Sequence, residues 1–177
     1  VNSEVAGIAR MGPIHGQAKS VMAVMQSPST AVHLVTLLEE MPVQETLDGV
    51  EHLAEEDLPM GAVIVNSDRP PMLTAAQRSA ALAGTLDRSA IAGSVRAADV
   101  TTARHPHTVD EVVDALAQEA QDHAERVRIA EQERARLSAL AVPQVSLPHL
   151  SGGIDLGGLY ELAAALRAAG FGQAARP

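Results

Sequence analysis

Asn66 is the residue whose type and position most strongly suggest binding chemistry. It directly follows residues 60–65, a short apolar run typical of a strand buried on both faces. A carboxamide offers a donor and an acceptor together, so it can match a ligand edge that presents both. Ligands of open α/β sheets bind at the carboxyl ends of parallel strands. The alternative is a strand-end Asn that caps a turn, and the residues alone leave both interpretations open.

A second candidate is the loop at residues 149–153, which follows a third apolar run, residues 142–147. Pro148 ends this run, and the two glycines at the end of the loop would allow a close approach of backbone to a ligand. His149 and Leu150 lie between them, where backbone amides or carbonyls would make the contacts. For His149, a loop histidine without a ligand is the simpler interpretation.

Two other polar groups favour structural interpretations. His105 and His107 have ligand chemistry, but Pro106 restricts their convergence and a third metal ligand is not evident. We therefore predict no metal site. Three acidic residues, Glu39, Glu40 and Glu45, lie near the start of the helix that is predicted between residues 31–38 and 60–65. No nucleophile or partner base lies nearby in the sequence, and the helix dipole explains acids at a helix start.

A strand–helix–strand pattern must position Asn66. Residues 31–38 and 60–65 are predicted strands, each apolar almost throughout, as expected of strands buried on both faces. Residues 67–71 are predicted to form a loop. Between the two strands, Pro42 suits a first helical turn, and a helix is predicted to about Glu56. The stripe of this helix consists of Val43, Leu47, Val50 and Ala54. Such a unit predicts parallel strands, and residues 142–147 add a third strand.

Helices are predicted for most of the remaining chain. The first 27 residues are helical but interrupted at Gly12-Pro13, and residues 74–86 and 88–98 follow as Ala-rich helices. Thr108 and Glu111 form a capping-box pattern that opens a helix to about Leu140. Its predicted buried seam is Val109, Val113, Leu116, Ala120, Ala124 and Val127, and its predicted ion pairs are Asp122–Arg126, Glu131–Arg134 and Glu133–Arg136. We assign residues 70–140 to a helical insertion. A last helix is predicted with the apolar face Leu156, Leu159, Tyr160, Ala163 and Leu166.

Composition limits the function classes. The 177 residues carry a net charge of -9 with Lys19 as the single lysine, so nucleic acid is a poor partner. No cysteine is present, which excludes disulfides and thiolate metal sites. No apolar run reaches the length of a membrane span, and we expect a cytoplasmic protein. The chain opens on Val1, and we expect a fragment or a processed product.

The order of these segments resembles the C-terminal half of the arsenite-pump or anion-transporting ATPases and their relatives that target tail-anchored proteins, most closely the actinobacterial members. The resemblance rests on a strand that leads through Glu39-Glu40-Met41-Pro42 to Glu45-Thr46, on residues 63–65 followed by Asn66, and on Leu147-Pro148-His149-Leu150. It covers nearly all of residues 14–170.

This resemblance implies that residues 1–177 are the C-terminal part of one P-loop ATPase domain, with a three-layer parallel α/β sheet and the helical insertion. It also implies ATP and Mg²⁺ as ligands, a homo- or heterodimer of related ATPase subunits, and a hydrophobic protein client in the targeting relatives. The implied adenine-binding residues are Asn66, Pro148, His149 and Leu150. No G-x-x-x-x-G-K-[ST] motif or switch carboxylate is found here, so we expect the Mg²⁺ ligands outside this chain and no hydrolysis by the chain alone.

A different class of function stays open. A non-catalytic interaction subunit would bind a partner ATPase or a hydrophobic client through its helices. Met22 and Met25 could contribute to such a surface because thioethers adapt to varied partners, although ordinary core packing explains them more simply.

Overall fold

The computed structural model describes residues 13–98 and 108–172, so His105 and His107 lie outside the described residues. The described chain is an α/β fold. Its strands are β1 (Val32–Thr36), β2 (Met60–Asp68) and β3 (Gln144–Pro148). Its helices are α1 (Pro13–Met25), α2 (Glu40–Glu55), α3 (Ala75–Leu82), α4 (Arg88–Ala97), α5 (Val109–Ser138) and α6 (Leu156–Ala168).

The chain divides into two compact units. One contains the described residues up to Arg69 together with those from Glu133 onward, and we call it the sheet unit. The other extends from Pro70 to Gln132, and we call it the helical unit. Every residue of the candidate ligand edge belongs to the sheet unit.

The three strands form one parallel sheet in the order β1-β2-β3. The predicted α/β class with parallel strands is therefore confirmed, and the arrangement is compatible with a P-loop-like three-layer sandwich. The central strand is buried along much of its length, with Ala62, Val63 and Val65 at most 3% exposed. Burial on both faces explains why this strand appears in the sequence as an unbroken apolar run.

Strand β1 differs from its prediction. We expected burial on both faces, but burial along β1 alternates and the side chain of Val35 is 64% exposed. The physical reason is that one face of β1 is covered: Leu34 lies against Gly49 of α2, whereas Val35 points to the opposite face and is left exposed. An apolar composition therefore does not distinguish a central strand from this edge strand.

Strand β2 is longer than predicted. Residues 67–71 were expected to form a loop, yet the strand continues through Asn66 and Ser67 to Asp68. It continues because β3 keeps pairing with it, and Asp68 lies opposite Pro148. Asn66 consequently lies inside the strand.

The core of the sheet unit joins β2 to two helices. Val63 and Val65 of β2 pack with Val43 of α2 and Leu137 of α5, and none of these four side chains is more than 2% exposed. Leu137 lies near the C-terminal end of α5, whose preceding turns belong to the helical unit. The end of this long helix is thus part of the sheet core.

The helical unit has its own small core, in which Ala92 and Val95 of α4 pack with Val113 of α5. The predicted capping box is confirmed, because the Thr108 N–H donates to Glu111 Oε2 at 2.7 Å and the Glu111 N–H donates to Thr108 Oγ1 at 3.2 Å. The predicted buried seam is confirmed in part: Val113, Ala124 and Val127 are buried, Val109 and Ala120 are partly buried, and Leu116 is 46% exposed.

Two of the three predicted ion pairs on α5 are wrong. Arg126 pairs with Glu119, and Arg134 pairs with Asp68 of β2. Only the Glu133–Arg136 pair forms as predicted, with 2.7 Å between Arg136 Nη1 and Glu133 Oε2. Neighbouring charges on a helix attract each other by only a few tenths of a kcal/mol, so other partners within reach readily replace them.

The apolar face predicted for α6 is mostly exposed. Leu156, Leu159 and Tyr160 are each more than half exposed, and no residue of this helix is buried. Within the two described ranges, no helix is both long enough and apolar enough to cross a membrane.

Candidate functional site

The candidate site lies at one edge of the sheet. Because all three strands are parallel, their carboxyl ends, Thr36, Asp68 and Pro148, meet at the same edge. The twist of the sheet does not separate the ends of adjacent paired strands. This is the edge at which open α/β sheets bind their ligands.

The carboxamide of Asn66 is a polar group without a hydrogen-bond partner at this edge. It is partly buried, and it forms no hydrogen bond with any residue in 13–98 or 108–172. The neighbouring strand-end residue Thr36 differs, since its hydroxyl donates to the Leu37 carbonyl at 3.1 Å. The turn-capping interpretation of Asn66 would require an intramolecular bond of this kind. Its donor and acceptor therefore remain available to a ligand.

Asn66 lies in a β-bulge. Val65 lies opposite Ser146 and Asp68 lies opposite Pro148, so Asn66 and Ser67 together oppose the single residue Leu147. Ser67 has φ 53°, a left-handed conformation that a residue with a Cβ rarely adopts. Bulges of this kind redirect a side chain and are enriched beside active sites.

The loop after β3 lies beside this bulge. The backbone N–H of His149 donates to the Asp68 carbonyl at 2.9 Å, and Leu147 is only 9% exposed. Pro148, His149 and Leu150 are all partly buried. The structure thus brings Asn66 and the loop residues named from the sequence together on adjacent strands.

Three residues at this edge, Asp68, Arg134 and Ser146, were missed from the sequence. Arg134 Nη2 is 2.7 Å from Asp68 Oδ1, and Arg134 Nη1 donates to Ser146 Oγ at 3.3 Å. One arginine of α5 thereby links the ends of β2 and β3. No local signal could have shown this, because Asp68 and Arg134 are 66 residues apart in the sequence.

Gly158 of α6 lies close to the loop that follows β3. A Cβ at this position would lie 2.7 Å from Leu150 Cδ1 and 3.4 Å from the Gly153 carbonyl oxygen. The Gly158 N–H also donates to Asp155 Oδ1 at 2.8 Å, which caps α6. The close approach explains why a glycine stands in the first turn of this helix.

We expect Gly158→Ala to displace Leu150 and to speed amide hydrogen exchange in residues 149–153. Gly93→Ala in α4 is the matched control, because nothing lies within 4 Å of a Cβ there. That control should stabilise the protein by about 0.5–1 kcal/mol, the helix preference of Ala over Gly. Hydrogen exchange read by mass spectrometry tests both. Unchanged exchange in the loop of Gly158→Ala would show that the contact with Leu150 is not a constraint.

Other polar groups do not form a second site in the described residues. Glu39, Glu40 and Glu45 are exposed, and Thr46 is buried with its hydroxyl donating to the Pro42 carbonyl at 2.7 Å. No group of three or more His, Asp or Glu side chains within the described ranges is placed to hold a metal ion. The helical unit contains an open, mainly apolar groove of about 460 Å³ between α4 and α5, lined in part by Ile91, Val95 and Leu116.

The chain is similar to known proteins over most of its length, although no family model matches it. It is 41% identical over 166 residues to the ATPase BagA of Mycobacterium tuberculosis. The same identity and span relate it to a protein of Mycobacterium bovis that carries the word ATPase in its name. The match covers 94% of this chain but 47% of each relative, so the chain spans about half the length of the curated relatives it matches. This similarity supports an ATPase-type family for the chain.

Proposed function

We propose that this chain forms the adenine-binding part of an ATPase of the arsenite-pump or anion-transporting type. The observation that carries the proposal is the unpartnered carboxamide of Asn66, which lies opposite Leu147 at the carboxyl edge of a parallel sheet. The 41% identity to proteins named as ATPases supports the choice of nucleotide. The subtype rests on the resemblance of the segment order.

The residues present fit an adenine ring. The edge of adenine carries an amino donor beside ring-nitrogen acceptors, and one carboxamide can satisfy a donor and an acceptor at once. Leu147 lies opposite the Asn66 bulge but is buried, so the partly buried Pro148 and Leu150 that flank His149 would supply the apolar surface. Pro148, His149 and Leu150 would contribute mainly through backbone groups and shape. Ligand sites of this kind combine an apolar lining with a few placed polar groups.

The phosphates and Mg²⁺ require groups of another kind. ATP hydrolysis needs cations around the transferring phosphoryl group, and we place the phosphate-binding loop and the Mg²⁺ ligands outside this chain. The role of the sheet edge is therefore to bind and orient the base. In the whole protein, hydrolysis would be coupled to a conformational change in a dimer of the same or a related subunit.

A second function is favoured by a separate observation. Leu156, Leu159 and Tyr160 expose an apolar stretch on α6, and Val21 and Val24 of α1 are also more than half exposed. A non-catalytic interaction subunit would use such helices to bind a partner ATPase or a hydrophobic client. This alternative predicts that the protein binds its partner without any contribution from a nucleotide bound at the sheet edge.

Photo-crosslinking tests the proposed function. An ATP analogue with an azide on adenine, irradiated with the protein in its full native length, should label peptides that contain residues 62–69 or 144–151. An excess of unmodified ATP should remove the label, and an excess of inorganic tripolyphosphate should remove less of it at equal concentration. Label confined to the groove of the helical unit, or no specific label, would contradict the proposal and favour the interaction subunit.

A further inference from the structure

The guanidinium of Arg134 contacts side chains on two strands of the sheet. Its Nη2 lies 2.7 Å from Asp68 Oδ1, and its Nη1 lies 3.3 Å from Ser146 Oγ. Asp68 ends β2 and Ser146 lies in β3, directly opposite Val65. Arginine suits this role because its planar fork presents several donors in a fixed geometry. The three side chains form a clamp, which we call the Arg134 clamp.

The Arg134 clamp lies next to the bulge that contains Asn66. Asp68 is held twice, by Arg134 at its carboxylate and by the His149 N–H at its carbonyl. Between Asn66 and Asp68 lies Ser67 in its left-handed conformation, with φ 53°. A non-glycine residue stays in such a conformation only where its surroundings impose it. The two contacts of Asp68 hold the residue that directly follows Ser67.

Stability alone does not explain the clamp. The side chains of Arg134 and Asp68 are 45% and 24% exposed, and ion pairs with this degree of exposure contribute little to the free energy of folding. The clamp instead fixes where the bulge and the His149 loop lie relative to each other. Those are the two segments that the proposed function places around adenine.

We propose that Arg134 is a positioning residue for the nucleotide base: acting through Asp68, it holds the Asn66 bulge against the His149 loop and so sets the preference for adenine over guanine. The inference rests on the proposed function, and it names a residue that need not touch the ligand. Loss of the clamp would let the bulge relax, which would move the Asn66 carboxamide away from the base without removing it.

The test is a nucleotide titration of the full-length protein and its variants with ATP, GTP and inorganic tripolyphosphate. Arg134→Gln and Asp68→Asn should each weaken ATP binding roughly three- to ten-fold and leave tripolyphosphate binding unchanged, so the ratio of ATP to GTP affinity falls. The double variant should lose no more than Arg134→Gln alone, because Asp68→Asn weakens a contact that Arg134→Gln already removes. Arg134→Lys, which keeps the charge but not the fork, should fall between wild type and Arg134→Gln.

Arg126→Gln is the matched control, since Arg126 is an exposed arginine of the same helix paired with Glu119 at 2.7 Å. It should change none of the three affinities. An unchanged ATP-to-GTP ratio in both Arg134→Gln and Arg134→Lys, measured below their melting temperatures, would overturn the inference. So would equal losses for ATP and tripolyphosphate, which would indicate general destabilisation.

Failure of the proposed function itself gives a different result. If wild-type protein does not prefer ATP to GTP, or if Asn66→Ala leaves ATP affinity unchanged, the adenine site is absent and the role of Arg134 is lost with it. If Asn66→Ala weakens ATP binding while the clamp variants do not, the adenine site remains and only the role of Arg134 is rejected.

Discussion

Leu137→Ala is expected to destabilise the protein by about 2–5 kcal/mol, the range for removal of a buried leucine side chain. Leu137 is fully buried and packs against Val43 of α2 and against Val63 and Val65 of β2. It therefore joins the end of α5 to the central strand. A cavity at this point would remove contacts from both helices and from the strand at once.

Urea unfolding followed by far-UV circular dichroism measures this effect. Leu116→Ala is the control, because it makes the same chemical change on the same helix at a position that is 46% exposed. That control should cost less than about 1.5 kcal/mol, since roughly half of its side chain already contacts water. If both variants lost equal stability, the end of α5 would not belong to the core as described.

Asn66→Ala is expected to weaken binding of ATP by about 1–2 kcal/mol, which is roughly five- to thirty-fold in affinity. The loss is larger than that of an exposed hydrogen bond because the polar edge of adenine would be left unpaired at a partly buried site. Binding of inorganic tripolyphosphate should not change, since it has no base. Circular dichroism should show an intact fold, because the Asn66 carboxamide has no hydrogen-bond partner in the described residues.

Gln118→Ala serves as the control for Asn66→Ala. It also removes a carboxamide, but from an exposed position on α5 where the side chain donates only to Asp122. ATP affinity should be the same as in wild type. Equal ATP affinities in all three proteins would remove Asn66 from any nucleotide site.

The sequence predicted the sheet because its information is local. A buried central strand appears as an unbroken apolar run, as at residues 60–65, and the helix between two such runs shows its stripe at helical spacing. The capping box at Thr108 and Glu111 involves residues three apart, so it was also readable. These features depend on neighbours in the chain, and the structure contains them.

The parts that the sequence could not predict depend on distant contacts. Arg134 was expected to pair with Glu131 on its own helix, yet its partner Asp68 lies 66 residues away. The extension of β2 past Asn66 depends on pairing with Pro148, and the exposure of Val35 depends on which face of β1 is covered by α2. The hydrophobic pattern predicts the helices and strands, whereas contacts with residues distant in the sequence determine where each strand ends and which side chains pair.

The binding of a base at the carboxyl edge of β2 is tested most directly by Asn66→Asp in a titration with ATP and GTP. A carboxylate only accepts hydrogen bonds, so it loses the donor that adenine needs and gains a match for the amide and amino donors of guanine. We expect the ATP-to-GTP affinity ratio of wild-type protein to fall at least ten-fold in Asn66→Asp and tripolyphosphate binding to stay constant. An unchanged ratio would contradict a nucleotide base beside Asn66.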